Sequence, residues 1–593
     1  MLSKAYIKPA ADLAKRKLFE PLYYACEATW KTTTEIVMIQ ASAKIRSKPE
    51  WEDELDNETI REQWIAEMKS KDELNDKQAA YVIAELFYYA KLQAAARSCG
   101  SDAKLSLVNM LWYMDIPENS DLAQEFNASL SKMLEKLPKD QYCRPPKNKY
   151  DVFEQIVDPS LYSLVYESTP ILPKPMISPQ EALHLPSFGA VPGSIDDWRQ
   201  AVCDLNASMA KKDKDDDSEK TTTPATNFVP FNEKYLELTD PTARHWLPTD
   251  IYVNQDGSVD FRSYINNIHP EEHADMYVSI SKIISKAIPL FEQALTDWEH
   301  PRDLRIPYDY NNCLEFPTEH PAKLGGKFDG YSEEFDENAY YQAVDEWRDT
   351  IIDTTPDPEE FVEPKRPLVP YSLRNKNLQV VVEITDKDMI LFDTATESIV
   401  ATAVYYYKVR NENPLSIELL EAIKSDMFMI GDAYDFLAHG TLFEASTGDK
   451  AESYTQPAGE IDPKQGRLIC YPNVYKQNNR FCPSDSLKSL TIYFVDPSVR
   501  IVSTAIVPPQ QKDWWAKTVS SVPSWVSKLP LEVQDMIFKH VDIPMSFEKA
   551  CEVSEKINEA ACFKTSRERF DCYVHISDIS YYETDFLERI IGS

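Results

Sequence analysis

The sequence predicts an α+β protein: a helical N-terminal region, a mixed middle segment and a β-rich core closed by C-terminal helices. Apolar residues recur at helical spacing towards both ends of the chain. Between residues 378 and 506, short β-branched or aromatic runs alternate with polar loops instead. A connector rich in proline and acidic residues, at about 353–370, separates the two patterns. The predicted regions are therefore residues 1–145, 146–370 and 371–593.

The N-terminal region, residues 1–145, has the pattern of amphipathic helices. Ile60, Trp64 and Met68 fall on one helical face. Asn57, which precedes them, is a residue that commonly caps a helix N-terminus. We therefore expect a helix to begin immediately after Asn57.

The middle segment, residues 146–370, combines one long helix with a polar insertion. The helix is predicted at about 271–298, where isoleucines recur on one side. The insertion lies at about 208–226, and its central tract, residues 211–224, contains no apolar side chain to bury. We predict that this insertion is a disordered surface loop.

The β-rich core begins after residue 370. Its predicted strands share β-branched and aromatic composition, and they span residues 378–384, 399–407, 467–471, 490–495 and 500–506. One helix is predicted at 416–427, and the chain is predicted to be helical again from Leu529. The alternation along 399–407 and 490–495 further predicts that both are long strands in two facing sheets.

Composition and charge exclude several classes of partner. With 97 acidic and 63 basic residues the chain has a net charge of −34, which repels phosphate backbones and anionic lipid. There is no apolar run long enough to cross a membrane, and the first residues lack the apolar segment of a secretory signal. The ten cysteines form no C-x-x-C pair, as expected for reduced thiols. We expect a cytoplasmic protein, with the nucleus as the alternative, that binds neither nucleic acid nor membranes.

Several ordered sequence blocks carry a family resemblance. Two of them are Ala-Thr-Ala-Val-Tyr-Tyr-Tyr from Ala401 and Gly-Arg-Leu-Ile-Cys-Tyr-Pro-Asn from Gly466. The other blocks lie at residues 48–51, 60–64, 158–162, 263–270, 287–290, 494–515 and 544–550. Together they resemble a large family of uncharacterised fungal proteins, a domain of unknown function. The core of that family is similar to the double-stranded β-helix of the Fe(II)/2-oxoglutarate dioxygenases. The resemblance implies a jelly-roll-like core within residues 371–593.

The positions where the family has its metal ligands are occupied by other residues in this chain. A facial triad needs two imidazoles and one carboxylate on one face of the iron. The family's histidines and first glutamate correspond to Ile390, Phe392, Ser398 and Gln477. The arginine expected to pair with 2-oxoglutarate corresponds to Leu487. The resemblance therefore implies an oxygenase-like fold that has lost its site.

A histidine count supports this interpretation. Between His320 and His540 the only histidine is His439, so the β-rich core cannot supply two imidazoles. The predicted function is that of a catalytically inactive relative, a pseudoenzyme that binds an unknown protein or small-molecule partner. No catalytic, cofactor-binding or metal-binding residue is predicted. The alternative is an active non-haem iron oxygenase with non-standard ligands such as Asp393, Glu397 or His439.

A third alternative comes from the sequence His269-Pro-Glu-Glu-His273, which has the H-x-x-E-H pattern of some zinc hydrolases. In that chemistry His269 and His273 would bind zinc and Glu272 would act as general base. The competing interpretation is a helix start, with Asn267 or His269 as the cap. Glycine-rich nucleotide-binding motifs and the G-x-S-x-G elbow are absent from the sequence. The Trp514-Trp515 pair is expected to pack against the C-terminal helices.

Overall fold

Helices surround antiparallel sheets in the computed structural model of the chain, which confirms the α+β class. The structure describes residues 31–106, 108–136, 155–165, 168–185, 189–193, 244–302, 305, 326–328, 334–351, 361–385, 397–410, 417–422, 446–447, 454–478, 487–497, 500–521, 525–541 and 545–556. The predicted insertion at 208–226 lies outside these residues. No helix in the described part of the chain is long and apolar enough to cross a membrane.

The described part of the N-terminal region contains five helices. They are α1 (Thr33–Arg46), α2 (Trp51–Glu54), α3 (Glu58–Lys71), α4 (Asp76–Ser98) and α5 (Asp121–Lys136). The side chain of Asn57 accepts a hydrogen bond from the Thr59 amide at 3.1 Å, which confirms the predicted cap of α3. Trp64 and Met68 are buried on the face that the spacing predicted. Between α4 and α5 the chain also forms two strands, β1 (Lys104–Leu105) and β2 (Trp112–Asp115).

The remaining strands are short in the middle segment and long in the core. They are β3 (Gln155–Val157), β4 (Leu164–Val165), β5 (Arg244–His245), β6 (Thr249–Val253), β7 (Val259–Phe261), β8 (Lys376–Thr385), β9 (Ile399–Val409), β10 (Ile417–Ala422), β11 (Ser446–Thr447), β12 (Tyr454–Ile461), β13 (Arg467–Pro472), β14 (Tyr475–Asn478) and β15 (Leu487–Val495). Four of the five predicted core strands are thus confirmed, including both long ones.

The strands form two main sheets, both antiparallel. The large sheet has the order β1-β2-β13-β9-β15-β8-β6-β7, and β3 also pairs with β8. The small sheet has the order β11-β12-β10-β14, while β4 and β5 form a separate pair. Since β2 pairs with β13, the N-terminal region contributes directly to the large sheet.

Two predictions within the core are wrong. Residues 417–422 form strand β10 rather than the start of a helix, because β12 and β14 pair with both of its edges. Residues 501–506 form no strand. The backbone N–H and C=O of Ile501 instead bond the side chain of Gln379, both at 2.9 Å, so that these groups need no strand partner.

One face of the large sheet packs on the longest helix, α6 (Ala274–Glu299). Phe291 of α6 stacks on Phe494 of β15 with ring centroids 4.5 Å apart. Along β9, Ala403, Tyr405 and Tyr407 point towards this helical side, as expected for the two-residue period of a strand. The opposite face of the sheet packs against the small sheet and against Trp246.

The described helices that follow the β core are α8 (Lys512–Ser521), α9 (Leu531–Lys539) and a helical stretch at 547–556, while α7 (Glu337–Ile351) precedes the core. Their presence confirms the predicted C-terminal helices. Trp515 packs against Phe538 of α9 with ring centroids 5.2 Å apart, as predicted. Trp514 is buried as well, but it packs against Tyr264 and His269 of the middle segment instead.

Candidate functional site

A cluster of buried apolar side chains joins the second face of the large sheet to the small sheet. The large sheet contributes Val404, Tyr406, Val409, Ile469, Tyr471 and Leu487, and the small sheet contributes Ile417, Leu419, Ile461 and Tyr475. We call this set the inter-sheet cluster. Its members carry no charged group, so a charge introduced here would lose its hydration without gaining a partner.

Leu487, the position at which the sequence resemblance leads us to expect an arginine, is part of the inter-sheet cluster. It is the first residue of β15, opposite Val409 of β9, and none of its surface is exposed. An aliphatic side chain offers no hydrogen-bond donor to a carboxylate. Apolar packing therefore occupies the position at which the resemblance leads us to expect a partner for 2-oxoglutarate.

Gln477, the position at which the sequence resemblance leads us to expect a third metal ligand, lies on strand β14. In the register of the small sheet it is opposite Leu419, which belongs to the inter-sheet cluster together with Leu487. Leu487 is thus a member of this cluster, and the backbone of Gln477 pairs with a strand that contributes another member. Ile390 and Phe392, the other replaced positions, lie outside the described residues, as do the alternative ligands Asp393 and His439.

Glu397 and Ser398 lie at the start of β9. Glu397 is fully buried, and its Oε1 accepts a hydrogen bond from the backbone N–H of Trp246 at 2.9 Å. Ser398 has a φ of 53°, and its carbonyl accepts a hydrogen bond from the Asp496 amide at 2.8 Å. The first bond holds the segment around Trp246 against the start of β9. The second bond joins the residue before β9 to the residue after β15.

Trp246 itself covers the second face of the large sheet. Its ring lies 5.2 Å from that of Tyr493, and both pack with Val381 and Ile399. Tyr493 donates to Glu383 at 2.6 Å, and Gln155 donates to the same carboxylate at 2.7 Å. None of these contacts is predictable from the sequence, because the partners are up to 247 residues apart and no local motif marks them.

The His269–His273 stretch forms a helix start. Nδ1 of His269 accepts hydrogen bonds from the amides of Glu271 and Glu272 at 3.3 and 3.2 Å, as a capping side chain does. The carboxylate of Glu272 pairs with Lys517 of α8 at 3.0 Å. Backbone hydrogen bonds and an ion pair therefore already engage His269 and Glu272, two of the three groups that a zinc hydrolase would use.

Metal binding would need further ligands beside this stretch. Within the described ranges, no group of three or more His, Cys, Asp or Glu side chains is arranged to hold a metal ion. Burial lowers the pKa of His269, and it lowers that of His273 to about 4, against the opposing charge of Glu272. Both imidazoles are thus neutral at neutral pH.

The low pKa of His273 predicts a loss of stability in acid. The unfolded chain takes up a proton at this side chain below about pH 6.5, whereas the folded protein does so only near pH 4. The contribution of His273 to the free energy of unfolding is therefore fully present above pH 6.5, and it is lost as the pH drops from 6.5 towards 4. Because the group is only partly buried, we expect a loss of about 1–2 kcal/mol.

Urea unfolding of His273→Gln at several pH values measures this effect. The variant should lose less stability between pH 7 and pH 4.5 than the wild type does. The matched control is His184→Gln, since the His184 side chain is 66% exposed and pairs only with Glu271 at 3.4 Å. Equal pH profiles for wild type and His273→Gln would contradict the prediction.

Two family models together match most of the chain. No curated protein and no solved structure matches the chain. Residues 7–67 match the N-terminal domain of unknown function DUF4246. Residues 76–518, which contain both main sheets, α4, α5 and α6, match the family described as protein of unknown function DUF4246. The chain therefore belongs to the DUF4246 family.

Proposed function

We propose that the chain is a catalytically inactive relative of the Fe(II)/2-oxoglutarate oxygenases, and that it acts by binding a protein or small-molecule partner. Two observations support the proposal: the path of the chain through the two sheets, and the apolar packing at Leu487. The second observation carries the functional conclusion. The first observation supports the fold that the proposed likeness to oxygenases requires.

The strand order supports a jelly-roll-like core. After β9 the chain passes to the small sheet for β10 and β12, returns for β13, crosses again for β14 and returns for β15. Adjacent strands of the large sheet follow β13-β9-β15-β8, and those of the small sheet follow β12-β10-β14. Repeated crossing between two antiparallel sheets is the arrangement of a jelly roll.

The packing at Leu487 argues against binding of 2-oxoglutarate. A dicarboxylate needs a charged, bidentate partner, and arginine is the side chain that supplies one. Leu487 instead lies within the inter-sheet cluster without any exposed surface. Iron without its chelating co-substrate cannot activate dioxygen productively.

The alternative of an active oxygenase depends on Asp393, Glu397 or His439. Of these, Glu397 lies within the described residues, and its carboxylate already accepts the Trp246 backbone N–H. Carboxylate ligands without two imidazoles also favour magnesium or calcium over iron. The third alternative, a zinc hydrolase at His269, Glu272 and His273, has less support, because His269 already accepts backbone amides and Glu272 already pairs with Lys517.

We place the protein in the cytoplasm, with the nucleus as the alternative. Cys470 is buried on β13, and burial raises the pKa of its thiol well above the usual value, as expected for an unreactive reduced thiol. The partner is expected to be neither nucleic acid nor membrane, because of the strongly acidic composition.

Metal content and turnover test the proposal directly. Purified protein reconstituted with Fe(II) should contain no stoichiometric iron after desalting, and it should release no succinate from 2-oxoglutarate above a metal-free control. Glu397→Gln and His439→Ala should leave both results unchanged. Succinate release that requires iron and disappears in either variant would overturn the proposal and favour the active oxygenase.

The binding role needs a separate measurement. Co-purifying proteins and small molecules should be identified by mass spectrometry and then titrated individually against the purified chain. The proposal expects at least one ligand to bind saturably in the absence of iron. It fails if every candidate binds only when Fe(II) and 2-oxoglutarate are present.

A further inference from the structure

A second cluster of charged and aromatic side chains lies where α1 and α4 meet the residues after α6. The ring of Tyr89 is placed between two guanidinium groups, with Arg46 Cζ 4.3 Å and Arg302 Cζ 4.4 Å from its centroid. Arg46 also donates to the Ser106 carbonyl at 2.6 Å. Arg302 comes three residues after α6, so it connects the N-terminal helices to the end of the core helix.

The acids of this cluster are already bonded to other groups. Glu85 accepts hydrogen bonds from Arg305 Nη2 at 2.7 Å and from Arg305 Nε at 3.1 Å, and Glu35 accepts one from Arg305 Nη1 at 2.7 Å. Asp297 pairs with Arg366 and accepts the Trp112 indole N–H at 2.7 Å. Arg302 contacts Glu85 only at 4.0 Å, which is beyond hydrogen-bonding distance.

Two buried donor atoms at this place have no hydrogen-bond partner among the described residues: Nη2 of Arg302 and the hydroxyl of Tyr88. Tyr88 is 2% exposed, and Arg302 Cζ lies 5.5 Å from the centroid of its ring. Burial raises the pKa of Tyr88, and the charges of Arg302 and Arg366 oppose that rise, so both guanidiniums act on this hydroxyl. Buried donors without an acceptor are costly and rare in native proteins.

We propose that Arg302 and Tyr88 form a binding site for a small anion, at the junction of the N-terminal helices and α6. A guanidinium N–H and a phenolic O–H are both donors, and together they suit a halide or one oxygen of a carboxylate or phosphate. The side chain of Arg302 is 14% exposed as a whole, while its Nη2 atom is buried. This site is separate from the inter-sheet cluster and does not depend on the proposed function.

The expected consequence is stabilisation by specific anions rather than by ionic strength. The chain carries a net charge of −34, so any salt stabilises it by screening self-repulsion. The thermal midpoint is therefore compared at one ionic strength in the sodium salts of chloride, formate, phosphate and gluconate, the last being the large-anion reference. We expect a higher midpoint, rising saturably with concentration, for at least one of the three small anions over gluconate.

Two substitutions locate the effect. Tyr88→Phe removes only the hydroxyl, and we expect it to weaken the apparent anion affinity about tenfold, the usual effect of one hydrogen bond of this kind. Arg302→Gln removes the charge and should abolish the anion-specific increase. Lys132→Gln is the control, because it removes a positive charge from an exposed ion pair whose lysine is 65% exposed.

Each outcome decides between anion and water. Equal midpoints in all four salts would overturn the proposal and leave an ordered water as the partner of the two donors. Anion-specific stabilisation that persists unchanged in Tyr88→Phe would also overturn it, because the anion would then bind elsewhere. Tyr88→Phe decides the question even if Arg302→Gln does not fold, since it keeps the ring and every charge of the cluster.

Discussion

Leu487→Arg should destabilise the protein strongly, although it introduces the residue that the proposed likeness to oxygenases leads us to expect at this position. The new guanidinium would enter the inter-sheet cluster, where the wild-type side chain is fully buried among apolar neighbours. Burying a charge without a partner, and displacing well-packed neighbours, should cost about 3–5 kcal/mol. Urea unfolding followed by circular dichroism gives this difference from the shift in midpoint.

Leu487→Met is the matched control for this experiment. It conserves volume and apolar character, so we expect it to cost less than about 1.5 kcal/mol. A Leu487→Arg variant as stable as the wild type, and further stabilised by 2-oxoglutarate, would show that a polar pocket survives between the sheets. That result would contradict the proposal that the protein is catalytically inactive, because the proposal rests on apolar packing at Leu487.

Asp297→Asn should be the most damaging polar substitution of α6. Asp297 is paired with Arg366, whose side chain has no exposed surface, and it also accepts the Trp112 indole N–H at 2.7 Å. Removing the negative charge leaves a buried guanidinium without its counter-ion, which typically costs about 3–5 kcal/mol. The free energy of unfolding in urea measures the loss.

The same substitution should also loosen the segment that precedes β8. That segment is fastened to α6 by Arg366, by the Tyr371 amide on Thr296 at 2.9 Å, and by the Leu373 amide on Glu292 at 2.7 Å. Hydrogen exchange at residues 366–373 should therefore accelerate in Asp297→Asn.

Lys282→Met provides the comparison on the same helix. It breaks an ion pair with Glu125 whose two side chains are 47% and 46% exposed, so we expect a change below about 1 kcal/mol. Similar losses in the free energy of unfolding for Asp297→Asn and Lys282→Met would contradict the prediction that the buried Asp297–Arg366 pair matters more than the exposed one.

Local features of the sequence were sufficient to predict helices and strands that bury one face, because the spacing of apolar residues along such a segment matches the face that is buried. The cap at Asn57, the helical face of Trp64 and Met68, and the alternation along β9 all reflect one-face burial, which local periodicity records. Glu397 and Gln477 could also be singled out from the family pattern, although the sequence assigned no contacts to either residue.

Long-range pairing decided the rest. Residues 417–422 are a strand because two other strands bond both of their edges, and residues 501–506 are not a strand because the Gln379 side chain satisfies the backbone of Ile501. The buried acids show the same dependence, since the sequence has 97 acidic residues and cannot indicate which few will meet an arginine away from water. The sequence by itself therefore determined the α+β class, the long strands and the unsuitability of Leu487 as a carboxylate partner. Only the tertiary structure decided the sheet order, the inter-sheet cluster and the surroundings of Arg302 and Arg366 near the end of α6, because these depend on contacts between residues far apart in the chain.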